Sequence, residues 1–158
     1  MIIEDIAKFA KVLAPMRPLL GLDLGTKTIG VAASDGILQA ATSVETVKRK
    51  KFTADAARLL ELADMRDATG LVLGLPRNMD GSEGPRCQST RSFAQNLSGL
   101  TDIPITFWDE RLSTVAAERA LIEADMTRKR RSEVIDSVAA AYILQGALDR
   151  LQHLRTHP

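Results

Sequence analysis

"LLGLDLGTKTIGVAAS", residues 19–34, holds two apolar runs parted by a short glycine- and threonine-bearing segment. Side chains alternate along an extended chain, so Leu20, Leu22 and Leu24 share one side and Leu19, Gly21 and Asp23 the other. The second run alternates Ile29, Val31 and Ala33, and the pair reads as a hairpin turning at residues 25–27. A carboxylate on a largely buried strand is costly unless a metal, a basic group or backbone donors answer it. Gly21 and Gly25 keep the space beside Asp23 free of side chains, which favours close approach of something else. Three roles stay open for Asp23: holding a divalent metal that cuts nucleic acid, facing the phosphates of a nucleotide, or capping a turn.

Outward from this hairpin, Asp35 and Gly36 mark another turn, and "ILQAATSVETV" (residues 37–47) reads as a third strand, completing an antiparallel meander. The period then changes. Over residues 53–67, Ala56, Leu59, Leu60 and Ala63 recur at helical spacing, and "GLVLGLP" (70–76) is the apolar run expected of a strand covered on both faces. "RNMDGSEGPR" (77–86) is rich in turn formers and predicts an exposed loop. A helix over 88–97, a strand "IPITFWD" (103–109), a helix over 114–125 and a last helix over 132–151 complete the pattern. Ahead of the hairpin, residues 1–15 carry Glu4, Asp5, Lys8 and Lys11, and read as a short amphipathic helix rather than a targeting peptide. The fold class is therefore α/β: a mixed five-stranded sheet, an antiparallel three-stranded meander plus two parallel strands, flanked by helices. The organisation expected is a helical extension over 1–16, one domain over 17–152 and a flexible tail over 153–158.

Composition narrows the chemistry. The 158 residues fit one domain, and 45% hydrophobic with 26% charged residues suits a soluble globular chain. No apolar run approaches the roughly 20 residues that span a bilayer, so no membrane partner is expected. Cys87, the only cysteine, excludes an intrachain disulfide and a multi-cysteine zinc site, and fits a reducing cytoplasm. His153 and His157 lie in the last six residues, which argues against histidine catalysis. Net charge is +1, yet "KRKK" (48–51) and "RKRR" (128–131) hold 8 of the 21 basic residues. An otherwise acidic body with two basic patches suits a polyanion held at chosen places.

Open α/β sheets carry functional groups at the carboxyl ends of their strands. Asp23 ends one strand, and Asp109 and Glu110 end another, although ordinary helix-start chemistry would also explain acids there. Asp136 lies about a turn into the last helix and shares a face with Ala139, Ala140, Ile143 and Ala147, a stripe small enough to pack close to a sheet. Carboxylates from two strand ends and a helix are the ingredients of a two-metal phosphodiester site. Oxygen ligands suit Mg²⁺ or Mn²⁺, and ions about 4 Å apart stabilise both attacking and leaving oxygens. Spacing alone does not choose between Asp109 and Glu110.

"LLGLDLGTKTIGVAASD", "LVLGLPRNMDGSEGPR", "WDERLST" and "VIDSVAAAYILQ" resemble, in order, the successive blocks of the YqgF/RuvX family of RNase H-like nucleases. Members are described as Holliday junction resolvases and as nucleases maturing the 5′ end of pre-16S rRNA. The resemblance implies an RNase H-like nuclease domain and maps the acidic triad onto Asp23, Glu110 and Asp136, as catalytic and metal-holding residues. Lys27, Arg77, Asn78, Arg111 and the tetrad Arg128, Lys129, Arg130 and Arg131 are expected to hold the nucleic-acid backbone. With one tryptophan, one tyrosine and four phenylalanines, recognition by shape and phosphates is expected over base stacking. The expected substrate is structured nucleic acid, pre-rRNA or else branched DNA, bound by a monomer or weak homodimer. Thr28 departs from the pattern, standing where many members have arginine. Two other classes compete. "GLDLGTKTIG" also resembles the first phosphate-binding segment of actin-like ATPases and sugar kinases, but those bind nucleotide between two related domains. A nucleic-acid-binding scaffold without catalysis would use the basic tetrads alone.

Overall fold

The computed structural model describes residues 1–112 and 128–157, with side chains in the last helix from residue 135 onward. β1 (Leu19–Leu24) and β2 (Thr28–Ser34) form the expected hairpin, with Asp23 opposite Gly30 and Leu24 opposite Ile29. The Gly25 N–H donates to the Thr28 carbonyl at 2.9 Å and closes the turn. β3 (Ala41–Lys48) pairs antiparallel with β2. β4 (Gly70–Leu75) and β5 (Ile105–Asp109) continue parallel on the other side of β1, giving the order β3-β2-β1-β4-β5.

β1 and β4 are buried along their whole length because both faces are covered. On one face Leu20, Leu22, Leu71 and Leu73 join Leu59 and Leu62 of α2 (Phe52–Met65) and Phe93 and Leu97 of α3 (Pro85–Ser98). On the other, Leu19, Ala32 and Val72 meet α4 (Arg128–Thr156) through Ala139, Ala140, Ile143 and Leu144. Each such leucine or isoleucine contributes about 1.5–3 kcal/mol relative to exposure. The pleat decides the function of each face. Leu24 faces α2 and α3, and Asp23 faces α4.

The N-terminal segment is only partly helical. α1 (Ile6–Val12) starts at Asp5, whose carboxylate accepts from the N–H groups of Ala7 at 2.8 Å and Lys8 at 3.3 Å. The residues before it are extended and bond to β5: Ile3 N–H donates to the Ile105 carbonyl at 2.8 Å, and Ile105 N–H to that of Met1 at 2.9 Å.

Two further expectations need correction. The third strand begins at Ala41 rather than at Ile37, because residues 35–40 close a loop on Asp35. Its carboxylate accepts from Gln39 N–H at 2.7 Å, and Leu38 turns inward with φ +59° to bury its side chain on the α4 face. The last helix is already helical at Arg128, ahead of Ser132, and runs on through His153 to Thr156. The helix expected over 114–125 lies outside the described residues. Among the described residues no helix is long and apolar enough to cross a membrane.

Candidate active site at the carboxyl end of the sheet

The parallel register brings the ends of β1, β4 and β5 level, with Leu73 beside Leu22 and Phe107, and Leu75 beside Asp109. Two glycines then set how closely other groups approach. A side-chain carbon on Gly30 would overlap the backbone carbonyl of Asp136 and lie 2.9 Å from Ser137 N, so α4 touches β2 at the residue opposite Asp23. A carbon on Gly74 would lie 3.2 Å from both Cγ and Oε1 of Glu110 and 2.6 Å from Cδ1 of Ile143. Asp23, Glu110 and Asp136 therefore converge on the α4 face at one end of the sheet. Asp23 is only 4% exposed, whereas Glu110 and Asp136 are half-buried.

The Thr28 hydroxyl donates to Oδ2 of Asp136. Thr28 thus occupies its place in the turn as an orienting group for a carboxylate. Asp109 has a different task from Glu110. Its carboxylate takes a forked ion pair from Arg111, 2.7 Å at Nη2 and 3.1 Å at Nε, and this guanidinium holds its pKa below the usual carboxylate range. Glu110 begins the 3₁₀ turn Glu110–Leu112 that follows β5, and lies against Gly74 and α4.

Among the described residues no three histidine, cysteine, aspartate or glutamate side chains stand close enough together to hold a metal ion. The donor chemistry nonetheless suits a hard divalent cation, since all three converging groups offer carboxylate oxygens. The glycines leave room beside them.

The loop after β4 is a self-bonded turn. Asn78 N–H donates to the Ser82 carbonyl and Gly81 N–H to that of Asn78, both at 2.9 Å, and Gly81 sits at φ +89°. The Asn78 amide donates to the Ser82 hydroxyl at 2.9 Å, and Arg111 reaches the Met79 carbonyl at 3.3 Å. Asn78 and Arg111 are thus occupied in shaping the loop. Arg77 pairs with Glu83 at 3.5 Å through Nη2, while its buried Nε has no partner. Lys27 is exposed at the tip of the β1–β2 turn. The tetrad Arg128 to Arg131 opens the described part of α4, and its side chains are outside the described set. Arg49 was missed by sequence reasoning, hidden among four adjacent cations. It fastens the turn from behind: its N–H donates to the Lys27 carbonyl at 2.9 Å and its Nη1 to that of Gly25 at 2.6 Å.

Residues 17–150 match the model of a family described as "RuvX: Holliday junction resolvase". The chain is 70% identical over 157 residues to a Roseobacter denitrificans protein named "Putative pre-16S rRNA nuclease", covering 98% of this chain and 96% of that one. A Ruegeria pomeroyi protein of the same name is 69% identical, with 98% and 100% covered. Among solved structures, T. thermophilus RuvC in complex with a Holliday junction substrate aligns with a TM-score of 0.54 at 14% identity, covering 86% of this chain and 96% of that one. That likeness is one of fold, the RNase H-like sheet with its flanking helices.

Proposed function

The chain belongs to the RuvX family, and from that premise we propose that it is a metal-dependent endonuclease whose substrate is the 5′ end of pre-16S rRNA. One observation above all supports the reading: Gly30 and Gly74 admit Asp136 and Glu110 to the face and strand end that carry Asp23. Asp23, Glu110 and Asp136 are the residues that would hold Mg²⁺ or Mn²⁺. Such an ion, when bound, supplies Lewis acidity that activates a water and stabilises the leaving oxygen of the scissile phosphodiester. Thr28 fixes the rotation of the Asp136 carboxylate. Lys27 on the turn and the guanidinium of Arg77 serve the flanking phosphates, and the Arg128 to Arg131 tetrad adds charge along the substrate. Arg111 and Asn78 contribute through the loop whose shape they hold.

The relatives named for rRNA share about 70% of their residues with this chain over nearly its whole length, which favours RNA processing in the cytoplasm. A second reading, resolution of four-way DNA junctions, is favoured by the description of the family model. A cleavage assay in Mg²⁺ or Mn²⁺ decides between them, comparing an rRNA precursor with a four-way junction for wild type and Asp23→Asn. The expected result is cutting of the precursor by wild type and its loss in the variant. Cutting of neither substrate above the variant's background would refute the nuclease reading. Unchanged cutting in Asp136→Asn would remove Asp136 from the metal-holding set.

A further inference from the structure

The basic tetrad at residues 48–51 touches the site described above only through the bonds of Arg49 to the turn, and it stands at the mouth of a groove. Beside the β1–β2 turn lies a cavity of about 160 Å³ lined by Gly25 and Thr26, Arg86 and Ser89, and Arg49 and Phe93. Through Arg49, Ser89 and Phe93 it continues into a more open channel of about 490 Å³ along α3, past Gln88, Ser92 and Asn96. No aspartate or glutamate lines either part.

The arginines around this end of the molecule divide into two groups. Arg77 and Arg91 pair with Glu83, and Arg111 with Asp109. Among the described residues, Arg49 and Arg86 form no ion pair with any carboxylate. Arg49 is nonetheless held in place, by Gly25 on one side and by the Phe93 ring, whose centroid lies 5.6 Å from its guanidinium carbon. Lys48, Lys50 and Lys51 are exposed beside it. A preset guanidinium without a carboxylate, in an acid-free groove, is arranged for an anion from outside.

We propose that this groove takes a single strand of nucleic acid leading away from the cleavage site, an inference that rests on the nuclease reading above. Leu24 faces the groove and Asp23 faces α4, so only residues 25–27 separate the two faces. A strand with its scissile phosphate at Asp23 reaches the groove by crossing over the exposed Thr26 and Lys27. The cavity beside the turn amounts to roughly five water volumes, room for backbone rather than for a paired duplex. Phe93 is buried and its face is taken by Arg49, so affinity there comes from phosphate contacts and not from base stacking. The contacts are therefore sequence-tolerant and sensitive to salt.

The test is fluorescence anisotropy in EDTA with labelled RNA hairpins, one blunt and one carrying a single-stranded tail. The proteins are the full wild-type chain, Arg49→Gln/Arg86→Gln, Arg86→Gln alone, and Arg150→Gln as a distant exposed control. The tail should tighten wild-type binding, and the double variant should lose that advantage, roughly tenfold at moderate salt. The slope of log affinity against log salt should fall by about 1.4, for two phosphates on a single strand. Arg86→Gln should show part of the loss, and since among the described residues its side chain donates no bond to the fold it guards against a folding artefact at Arg49. The control should bind both hairpins as wild type does, and Arg86→Gln should leave binding of the blunt hairpin unchanged. A tail that adds nothing to wild type, a double variant that keeps the advantage, or equal weakening toward both hairpins would overturn the proposal. So would an acidic peptide that displaces the tail equally well per charge, which points to a protein partner. Because binding is read without metal, absence of cleavage in the assay above would refute the nuclease and leave the groove measurement intact.

Discussion

Gly30→Ala is the sharpest perturbation of the site that leaves every carboxylate in place. The added methyl would overlap the carbonyl carbon and oxygen of Asp136 and lie 2.9 Å from Ser137 N. All three are backbone atoms, so no rotamer change relieves the clash. To restore ordinary contact α4 around Asp136 must retreat from β2 by about 1 Å or more. Overpacking of this kind costs about 1–3 kcal/mol, and at about 2–4 °C per kcal/mol in a domain of this size the melting midpoint should fall by about 2–12 °C. The second consequence is catalytic. Asp136 would move with the helix while Asp23, on the strand, would stay, and displacements near 1 Å at a reacting centre cost on the order of 100-fold in rate. Gly99→Ala is the matched control, since its nearest neighbour would be Asn96 O at 3.4 Å and its backbone suits alanine. Thermal melts and single-turnover cleavage, run side by side, read both effects. If Gly30→Ala melts and cuts like Gly99→Ala, then the contact between α4 and β2 does not set the position of Asp136.

Other outcomes follow from particular contacts. Thr28→Val should lower cleavage by about 10-fold, in the range typical of groups that orient a ligand carboxylate, while Thr28→Ser keeps the hydroxyl and most of the activity. Leu59→Ala, on the buried face of α2 and 1% exposed, should destabilise by about 2–5 kcal/mol in urea titration without altering the carboxylate face. Arg111 stabilises the ionised form of Asp109, so its folded pKa lies below its unfolded one. Its contribution is present above about pH 4 and is lost as pH falls through the folded value. The stability gap between wild type and Asp109→Asn should therefore be constant near neutrality and close in acid, and a gap that widens in acid would reverse the assignment. Burial pushes the Cys87 thiol up, and the side chain is wholly inaccessible, so a disulfide reagent should label it only as fast as the chain opens.

The hairpin, β4 and both layers of helix were legible because each depends on apolar periodicity, which the chain states openly. Leu38 shows where that signal misleads. An apolar pair after a turn looks like the start of a strand, yet the loop closed by Asp35 needs Leu38 as an inward plug, at a left-handed backbone angle. The onset of the last helix was hidden for the opposite reason, since Arg128 to Arg131 carry no apolar residue to set a phase. At the site, the sequence named the segments but not the partners. Asp109 and Glu110 are neighbours of similar chemistry, and what separates them is that the chain leaves the pleat after Asp109, sending one carboxylate to Arg111 and the other to Gly74. Arg49 was indistinguishable from Lys48 and Lys50 until the turn it fastens was in view.

The position of Asp136 on the last helix bears on how the molecule is made. A chain released or stalled before that helix already carries Asp23 and Glu110 but lacks the third carboxylate. It also leaves Leu19, Ala32 and Val72 without their cover from α4. On the proposed mechanism, unfinished chains are thus both incapable of cutting and marked by an exposed oily sheet that quality control can recognise. For an enzyme proposed to act on the ribosome's own RNA, synthesis ends before the blade is closed.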